Sequence, residues 1–124
     1  MNHELSKQIT DKYPWFGGFF KRPNISLQMD CGDGWFNLIM ELCAELAAVG
    51  FDKNIVQVKE KFGGLRFYTE SETQEEHEII NKYCDKSYEI CEACGKEGIL
   101  RKDIGWIRTL CEEHYIETKT NKRD

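Results

Sequence analysis

A chain of 124 residues with 40% apolar and 12% aromatic content is long enough for one compact domain with a hydrophobic core, and short for two. Its 22 acidic and 17 basic side chains give a net charge of −5, which argues against a protein that coats nucleic acid non-specifically. No apolar run reaches the roughly 18 residues that a membrane span needs, and the polar start has no signal-peptide pattern. We therefore expect a cytoplasmic protein without a membrane partner.

Two helices are predicted in the first half of the chain. Residues 2–13 carry apolar side chains four positions apart, which indicates one helical face. Residues 34–49 are more strongly amphipathic, with Asp33 as the predicted N-cap and Gly50 as the residue that ends the helix. The aromatic segment 15–20 between the two helices is predicted to cover the core.

A β-hairpin is predicted after the second helix. Segments of alternating character at 55–62 and 65–69 flank a Gly-Gly pair, which is typical of a two-residue turn. Pairing through this turn places Lys61 directly opposite Arg66. The inner face is then predicted to consist of Val58, Glu60, Phe62, Leu65 and Phe67. The outer face is predicted to carry Lys59, Lys61, Arg66 and Tyr68.

A third helix is predicted to follow the hairpin and to lead into the last third of the chain. Ser71 and Gln74 have the spacing of a capping box, and acidic residues follow in the first turn, where the helix dipole favours them. Residues 1–90 are thus expected to form a core of helices and one hairpin. Residues 119–124 read as a solvated tail.

The last third of the chain carries a metal-site pattern. Cys91 and Cys94 form a Cys-x2-Cys pair, sixteen residues follow, and Cys111 and His114 form a Cys-x2-His pair. Three thiolates and one imidazole make a complete tetrahedral shell for Zn²⁺. A redox pair at Cys91 and Cys94 is the alternative, but it leaves the other two residues unexplained. A closed shell has no position for a reactive water, so the zinc is expected to be structural.

The module at 91–118 resembles a treble clef, in which a knuckle, a short hairpin and a helix start supply the ligands. It also resembles His-Asn-His nucleases, which place a catalytic histidine on that hairpin, but residues 95–110 contain no histidine. His3 and His77 lie on predicted polar helix faces, and no serine, cysteine or carboxylate is placed to pair with them in a recognisable catalytic pattern. We therefore expect a non-catalytic protein. The remaining cysteines are predicted to be packing residues: Cys31, Cys43 and Cys84.

The outer face of the hairpin is the predicted ligand site. Lys61 opposite Arg66 is an unfavourable pair unless an anion bridges the two cations, and Lys59 extends the same face. Tyr68 offers a surface on which a ring can stack. These residues predict a site for a phosphate-bearing ligand or an acidic partner. The alternative is an ordinary solvated surface.

Three further residues leave alternatives open. Asp33 and Trp35 are candidates for gripping the base or ribose of a ligand, although capping is the simpler role for Asp33. Glu60 lies on the apolar face of the predicted hairpin. It requires a cationic partner if it is buried, or it lies at the rim of the sheet.

A resemblance covers residues 30–115. The motifs CGDGW at 31–35, VKEKFGGLRFY at 58–68, CEACG at 91–95 and TLCEEH at 109–114 resemble a family of small uncharacterised proteins of phages and bacteria. The resemblance implies a mobile-element context in the host cytoplasm. Proteins of this kind act on host machinery or defence by binding a host protein or by sequestering a nucleotide.

These patterns together predict a small single α+β domain: helices, one antiparallel β-hairpin, and a C-terminal treble-clef-like zinc module packed on them. The predicted function is non-catalytic binding of a host protein or a nucleotide-like anion. The alternative is nucleic-acid binding through Arg101, Lys102 and Arg108, which the acidic net charge disfavours. A metal-dependent nuclease-like enzyme is the third reading.

Overall fold

The computed structural model describes residues 1–16 and 29–121 and has the predicted α+β architecture. Two antiparallel hairpins, β1–β2 and β3–β4, lie between helices. The helices of the described residues are α1 (His3–Lys12), α2 (Phe36–Ala48), α3 (Gln74–Lys86) and α4 (Glu112–Asn121). The strands are β1 (Ile55–Lys61), β2 (Gly64–Thr69), β3 (Ile99–Arg101) and β4 (Arg108–Leu110).

The main core is built around α2, as its amphipathic pattern predicts. The buried side chains of α2 are Leu38, Ile39, Leu42, Cys43 and Leu46. Ile9 of α1, the inner face of β1–β2, and Ile80 and Tyr83 of α3 complete this cluster. The start of the aromatic segment covers the core, because Trp15 and Phe16 are buried, whereas positions 17–20 lie outside the described residues.

Asp33 does not cap α2, which corrects the prediction. The chain makes one 3-10 turn over Asp33–Trp35, and α2 begins at Phe36. The Asp33 carboxylate instead accepts hydrogen bonds from the backbone N–H and the side-chain amide of Asn2, at 2.7 and 3.2 Å. Asn2 in turn caps α1, since its side chain accepts from the N–H of Leu5. Asp33 therefore fastens the N-terminal helix to the start of α2.

The hairpin β1–β2 forms in a register different from the predicted one. The turn residues are Phe62 and Gly63, with φ of 53° and 85°, as a type I′ turn requires. Lys61 therefore lies opposite Gly64, and Lys59 is the residue opposite Arg66. The two faces of the strands stay as predicted, but Phe62 leaves the inner face and is 62% exposed at the turn.

Glu60 is half-buried, and its carboxylate binds a backbone N–H group. Its carboxylate accepts a hydrogen bond of 2.8 Å from the N–H of Gly63 and thereby closes the turn. On the outer edge of β1, Glu60 N–H donates to the carbonyl of Asp30, which forms a parallel bridge with Lys59. No cation is needed to explain this carboxylate.

Helix α3 begins two residues later than predicted. The capping box is formed by Thr73 and Glu76, not by Ser71 and Gln74. Glu76 is buried, and its carboxylate also binds the Lys53 ammonium at 2.8 Å. Burial works to raise the pKa of Glu76, but the hydrogen bonds from Lys53 and Thr73 outweigh it and hold the pKa below its usual value.

At the far end of the chain, α4 continues to Asn121 and so extends past residue 119, where the tail was predicted to begin.

Among the described residues, no helix is both long enough and apolar enough to cross a membrane.

Phe62 provides a test of the turn. A bulky aromatic residue is disfavoured at a positive φ, whereas Asn tolerates it. We expect Phe62→Asn to be more stable than Phe62→Ala by about 0.5–1 kcal/mol, because both variants lose the ring but only Asn suits the left-handed backbone. Urea denaturation of the two variants measures the difference. Equal stabilities would show that the backbone at residue 62 carries no such strain.

Candidate metal centre

Four side chains that can hold a metal ion converge in the C-terminal module: Cys91, Cys94, Cys111 and His114. Their ligand atoms all lie within 4.8 Å of one another. Cys94 Sγ is 3.8 Å from Cys111 Sγ, and His114 Nδ1 is 3.8 Å from Cys91 Sγ and 3.2 Å from Cys111 Sγ. The predicted set of four residues is therefore confirmed as one cluster.

The spacing within this cluster suits zinc. In a tetrahedral site with Zn–S bonds of about 2.3 Å and Zn–N bonds of about 2.0 Å, two sulfur atoms lie about 3.8 Å apart and sulfur and nitrogen about 3.5 Å apart. The observed distances of 3.8 Å between sulfur atoms and 3.2 to 3.8 Å between sulfur and nitrogen match this geometry. A Cys3His shell is typical of structural zinc sites.

Local structure positions each ligand. Cys91 and Cys94 belong to a tight turn in which Gly95 N–H donates to the carbonyl of Cys91, and Gly95 has a φ of 84° that favours glycine. Cys111 directly precedes α4, and His114 lies in its first turn. The hairpin β3–β4 joins the two ligand pairs. This arrangement of knuckle, hairpin and helix start resembles a treble clef.

The other three cysteines are separate from the cluster. Burial raises the pKa of Cys31 and of Cys43 to about 12, and that of Cys84 to about 11. Their thiols therefore stay protonated at neutral pH, which is unfavourable for metal binding and for nucleophilic attack. This supports the prediction that they serve in packing.

Glu92, between the first two ligands, connects the knuckle to the rest of the protein. Its carbonyl accepts from the N–H of Gly34 at 2.7 Å, and its carboxylate accepts from the N–H of Gly32 at 2.8 Å. Arg108 approaches the same carboxylate at 3.6 Å. Glu92 is 5% exposed, and burial raises the pKa of its carboxyl. Sequence reasoning missed this residue, because an acid inside a Cys-x2-Cys pair reads as solvent-facing.

The CGDGW motif is the surface on which the knuckle docks. A Cβ atom at Gly34 would lie 2.2 Å from the carbonyl oxygen of Cys91, and one at Gly32 would lie 2.3 Å from that of Glu92. The Trp35 indole N–H donates to the carbonyl of Ile90 at 3.0 Å. Trp35 is completely buried, so the predicted contact between this residue and a ligand does not fit the structure.

The tip of the first hairpin docks on the second hairpin. The Thr109 hydroxyl donates to the carbonyl of Gly63 at 2.7 Å, and a Cβ at Gly63 would meet the Leu100 side chain at 2.4 Å. Gly64 similarly lies against the Tyr88 ring. The module that carries the metal cluster therefore packs against the β1–β2 turn as well as against the segment that precedes α2.

The predicted ligand residues fall into two groups. Lys59, Lys61, Arg66 and Tyr68 are at least partly exposed on the outer face of the hairpin, whereas Asp33 and Trp35 are engaged with Asn2 and Ile90. Arg66 reaches over the edge of β2, where its guanidinium donates to the Tyr88 hydroxyl at 3.2 Å. The sequence contains no signal for this last contact, which joins residues 22 positions apart.

Two of the three basic residues proposed for nucleic-acid binding make contacts within the C-terminal module. Arg101 stacks on the Tyr115 ring at 4.1 Å and donates to the carbonyl of Leu110 at 3.2 Å. Arg108 is paired with Glu92. Lys102 is the exposed member of the three. These contacts weaken the nucleic-acid reading.

A cleft between β2 and α3 was not predicted. It has a volume of about 460 Å³, and Arg66 and Tyr68 line it from the strand. His77 of α3 contacts the Glu72 carboxylate through its Nδ1 atom. Its Nε2 atom lies 3.0 Å from the Asn81 amide nitrogen. The expectation that His77 has no carboxylate partner was wrong, because the loop before α3 folds back toward the helix.

Comparison of the chain with family models, curated proteins and solved structures found no match. The chemistry of the site therefore rests on the residues themselves. They form a Cys3His cluster that can hold a metal ion, in a small α+β protein.

Zinc content tests the cluster. We expect one zinc ion per chain. We expect its removal by a chelator to lower the melting temperature by roughly 10 °C or more, because the free energy of metal binding contributes directly to the free energy of folding in such modules. Cys94→Ser removes an exposed ligand and should abolish zinc binding, whereas Cys84→Ser should retain it. Elemental analysis and thermal melts measure both effects. A metal-free protein with an unchanged melting temperature would contradict a structural role.

The docking of the knuckle predicts a large cost for a single methyl group. Gly34→Ala places its Cβ against the backbone of Cys91 and should destabilise the protein by about 3 kcal/mol or more. Gly50→Asn is the matched control, since the space beside Gly50 is open and Asn tolerates its φ of 80°. Denaturant unfolding compares the two. A Gly34→Ala protein within 1 kcal/mol of the parent would mean that the knuckle is not packed on this motif.

Proposed function

We propose that this chain is a non-catalytic, zinc-stabilised binding protein that captures a phosphate-bearing ligand on the outer face of its first hairpin. The observation that carries the proposal is the cross-strand pair Lys59–Arg66, with Lys61 beside it. The zinc module supplies stability and not chemistry, since its four ligands leave no open position on a tetrahedral metal.

Within the part of the chain that the structure describes, the cations of this face form no ion pair with an acidic side chain. Seven Lys and Arg residues elsewhere in the described part of the chain form ion pairs. Within residues 1–16 and 29–121, none of the recorded ion pairs involves Lys59, Lys61 or Arg66. Three adjacent unpaired cations in a protein of net charge −5 indicate a local anion site.

The pairing of Lys59 with Arg66 is itself unfavourable. Like charges directly opposite each other on a hairpin repel, and here the two strands hold them there by backbone hydrogen bonds. An anion that bridges the two cations removes the repulsion and adds charge-assisted hydrogen bonds. Arg66 suits this role because its guanidinium is oriented by Tyr88.

Tyr68 extends the face with an aromatic ring. It is 44% exposed and lies two residues from Arg66 on the same side of β2. An exposed ring beside cations can stack on a planar group of a ligand that also carries phosphate. A nucleotide combines both features, so it fits this face better than a carboxylate alone.

The resemblance to small phage and bacterial proteins supports a biological setting for the proposal. In that setting the chain acts inside a host cell by sequestering a nucleotide ligand or by binding a host protein through acidic side chains. The exposed ring beside the cation pair favours the nucleotide branch.

Lys59→Thr separates the functional role of the cation from a structural one. The substitution relieves the repulsion with Arg66 and introduces a residue that favours strands, so stability should be unchanged or slightly higher. Stabilisation of the protein by pyrophosphate and by nucleotides, measured as the shift of the melting temperature, should fall steeply. Lys102→Thr, at an exposed lysine of the zinc module, should leave the shift unchanged.

Two results would contradict the proposal. The first is that neither pyrophosphate nor any nucleotide in a broad panel stabilises the parent protein. The second is that the melting temperature of Lys59→Thr rises with these ligands as much as that of the parent and of Lys102→Thr. The hairpin face would then have no role in binding.

A further inference from the structure

The cleft between β2 and α3 adjoins the cation pair directly. Arg66 and Tyr68 belong both to the outer face of the hairpin and to the lining of this cleft. Its volume of about 460 Å³ falls within the range of small-molecule sites in proteins, about 300–1,000 Å³. A ligand bound at Lys59 and Arg66 therefore has a cavity next to it.

A hydrogen-bonded row of polar side chains lines the cleft from the end of β2, through the following loop, to α3. The Thr69 hydroxyl donates to Glu72 at 2.9 Å, Glu72 contacts His77, and the Asn81 amide contacts His77 at 3.0 Å. Each member restrains its neighbour, so the row presents fixed groups to the cavity. The Asn81 amide keeps its carbonyl oxygen and one N–H for a ligand.

The charges of the cleft differ from those of the hairpin face. Glu72 and Asp85 line the cavity, and Arg66 is the one Lys or Arg side chain among the described residues that line it. Carboxylates disfavour a phosphate inside the cleft, but they accept hydrogen bonds from amino groups on planar rings. The phosphate is therefore expected on the outer face and a neutral planar group in the cleft.

We propose that the β2–α3 cleft is the base-binding subsite of a nucleoside phosphate, with the phosphate on Lys59 and Arg66 and the ring between Tyr68 and the Asn81 row. This inference rests on the proposed function and adds the class of ligand and the side chains that recognise it. The same chemistry is offered by a free nucleotide and by the phosphorylated end of a nucleic acid strand.

Two variants of the zinc-loaded full chain isolate the subsite. Tyr68→Thr removes the ring and keeps a strand-favouring residue, and Asn81→Ala places a good helix former at an exposed position of α3. Glu78→Ala is the matched control on the same helix, because Glu78 does not line the cleft. Titration calorimetry uses inorganic phosphate, the four common nucleoside 5′-monophosphates, and a 5′-phosphorylated tetranucleotide.

We expect at least one nucleoside monophosphate to bind about tenfold or more tightly than inorganic phosphate. Tyr68→Thr and Asn81→Ala should lose that gain while retaining the affinity for phosphate, and Glu78→Ala should behave like the parent. Lys59→Thr should lower the affinity for both inorganic phosphate and the nucleoside monophosphate. Tighter binding of the tetranucleotide than of the monophosphate would support the subsite and identify a strand end as the source of the ligand.

The inference is overturned if phosphate binds and no nucleoside monophosphate binds more tightly, or if the gain survives in Tyr68→Thr and Asn81→Ala. In both cases the anion site on Lys59 and Arg66 would stand without a base subsite. An absence of binding by phosphate and by every nucleotide would overturn the inference together with the proposed function.

Discussion

The structure depends on the close approach of two backbones, that of the cysteine-bearing knuckle at 91–95 and that of Gly32–Trp35. The carbonyl of Glu92 receives Gly34 N–H, its carboxylate receives Gly32 N–H, and the Trp35 indole reaches Ile90. Glycines are needed because a Cβ at either position would overlap the knuckle. This contact ties the metal cluster to the 3-10 turn that precedes α2 and thus to the main core. It also explains why the short CGDGW segment contains two glycines, since neither position has room for a side chain.

The features that could be predicted from sequence are those encoded by local pattern. Helical periodicity located α2, and ligand spacing located Cys91, Cys94, Cys111 and His114, because both depend on residues close in the chain or on a fixed coordination geometry. The faces of the first hairpin were also correct, except for Phe62, which is exposed at the turn. The register of this hairpin was not, since a Gly-Gly pair suggested a turn at 63–64. The chain places Phe62 in the left-handed region instead, where Glu60 binds Gly63 and the turn packs on Leu100.

Most of the remaining differences arise from long-range contacts that no local pattern contains. Asp33 was expected to cap a helix and instead binds Asn2, 31 residues away. The contact of His77 with Glu72 is the local exception, because Glu72 lies in the loop directly before the helix that carries His77. The cleft lined by Arg66 and Asn81 exists only because α3 packs along one edge of β2, and pairs at that distance in sequence are visible only in the folded chain. Residues that looked like ligand contacts, such as Trp35, proved to be contacts between parts of the fold.

The separation of the docking partners along the chain has a consequence for folding. Gly32 and Glu92 lie 60 positions apart, and the last two metal ligands follow at 111 and 114. Contacts between residues so far apart in sequence form slowly, because a long loop must be closed, with a loss of chain entropy, before these contacts can stabilise the fold. During synthesis, α2 and the first hairpin emerge long before His114. The packing around Trp35 can therefore be completed only late in synthesis, and any metal ion that the cluster holds can bind to all four ligands only after His114 has been made.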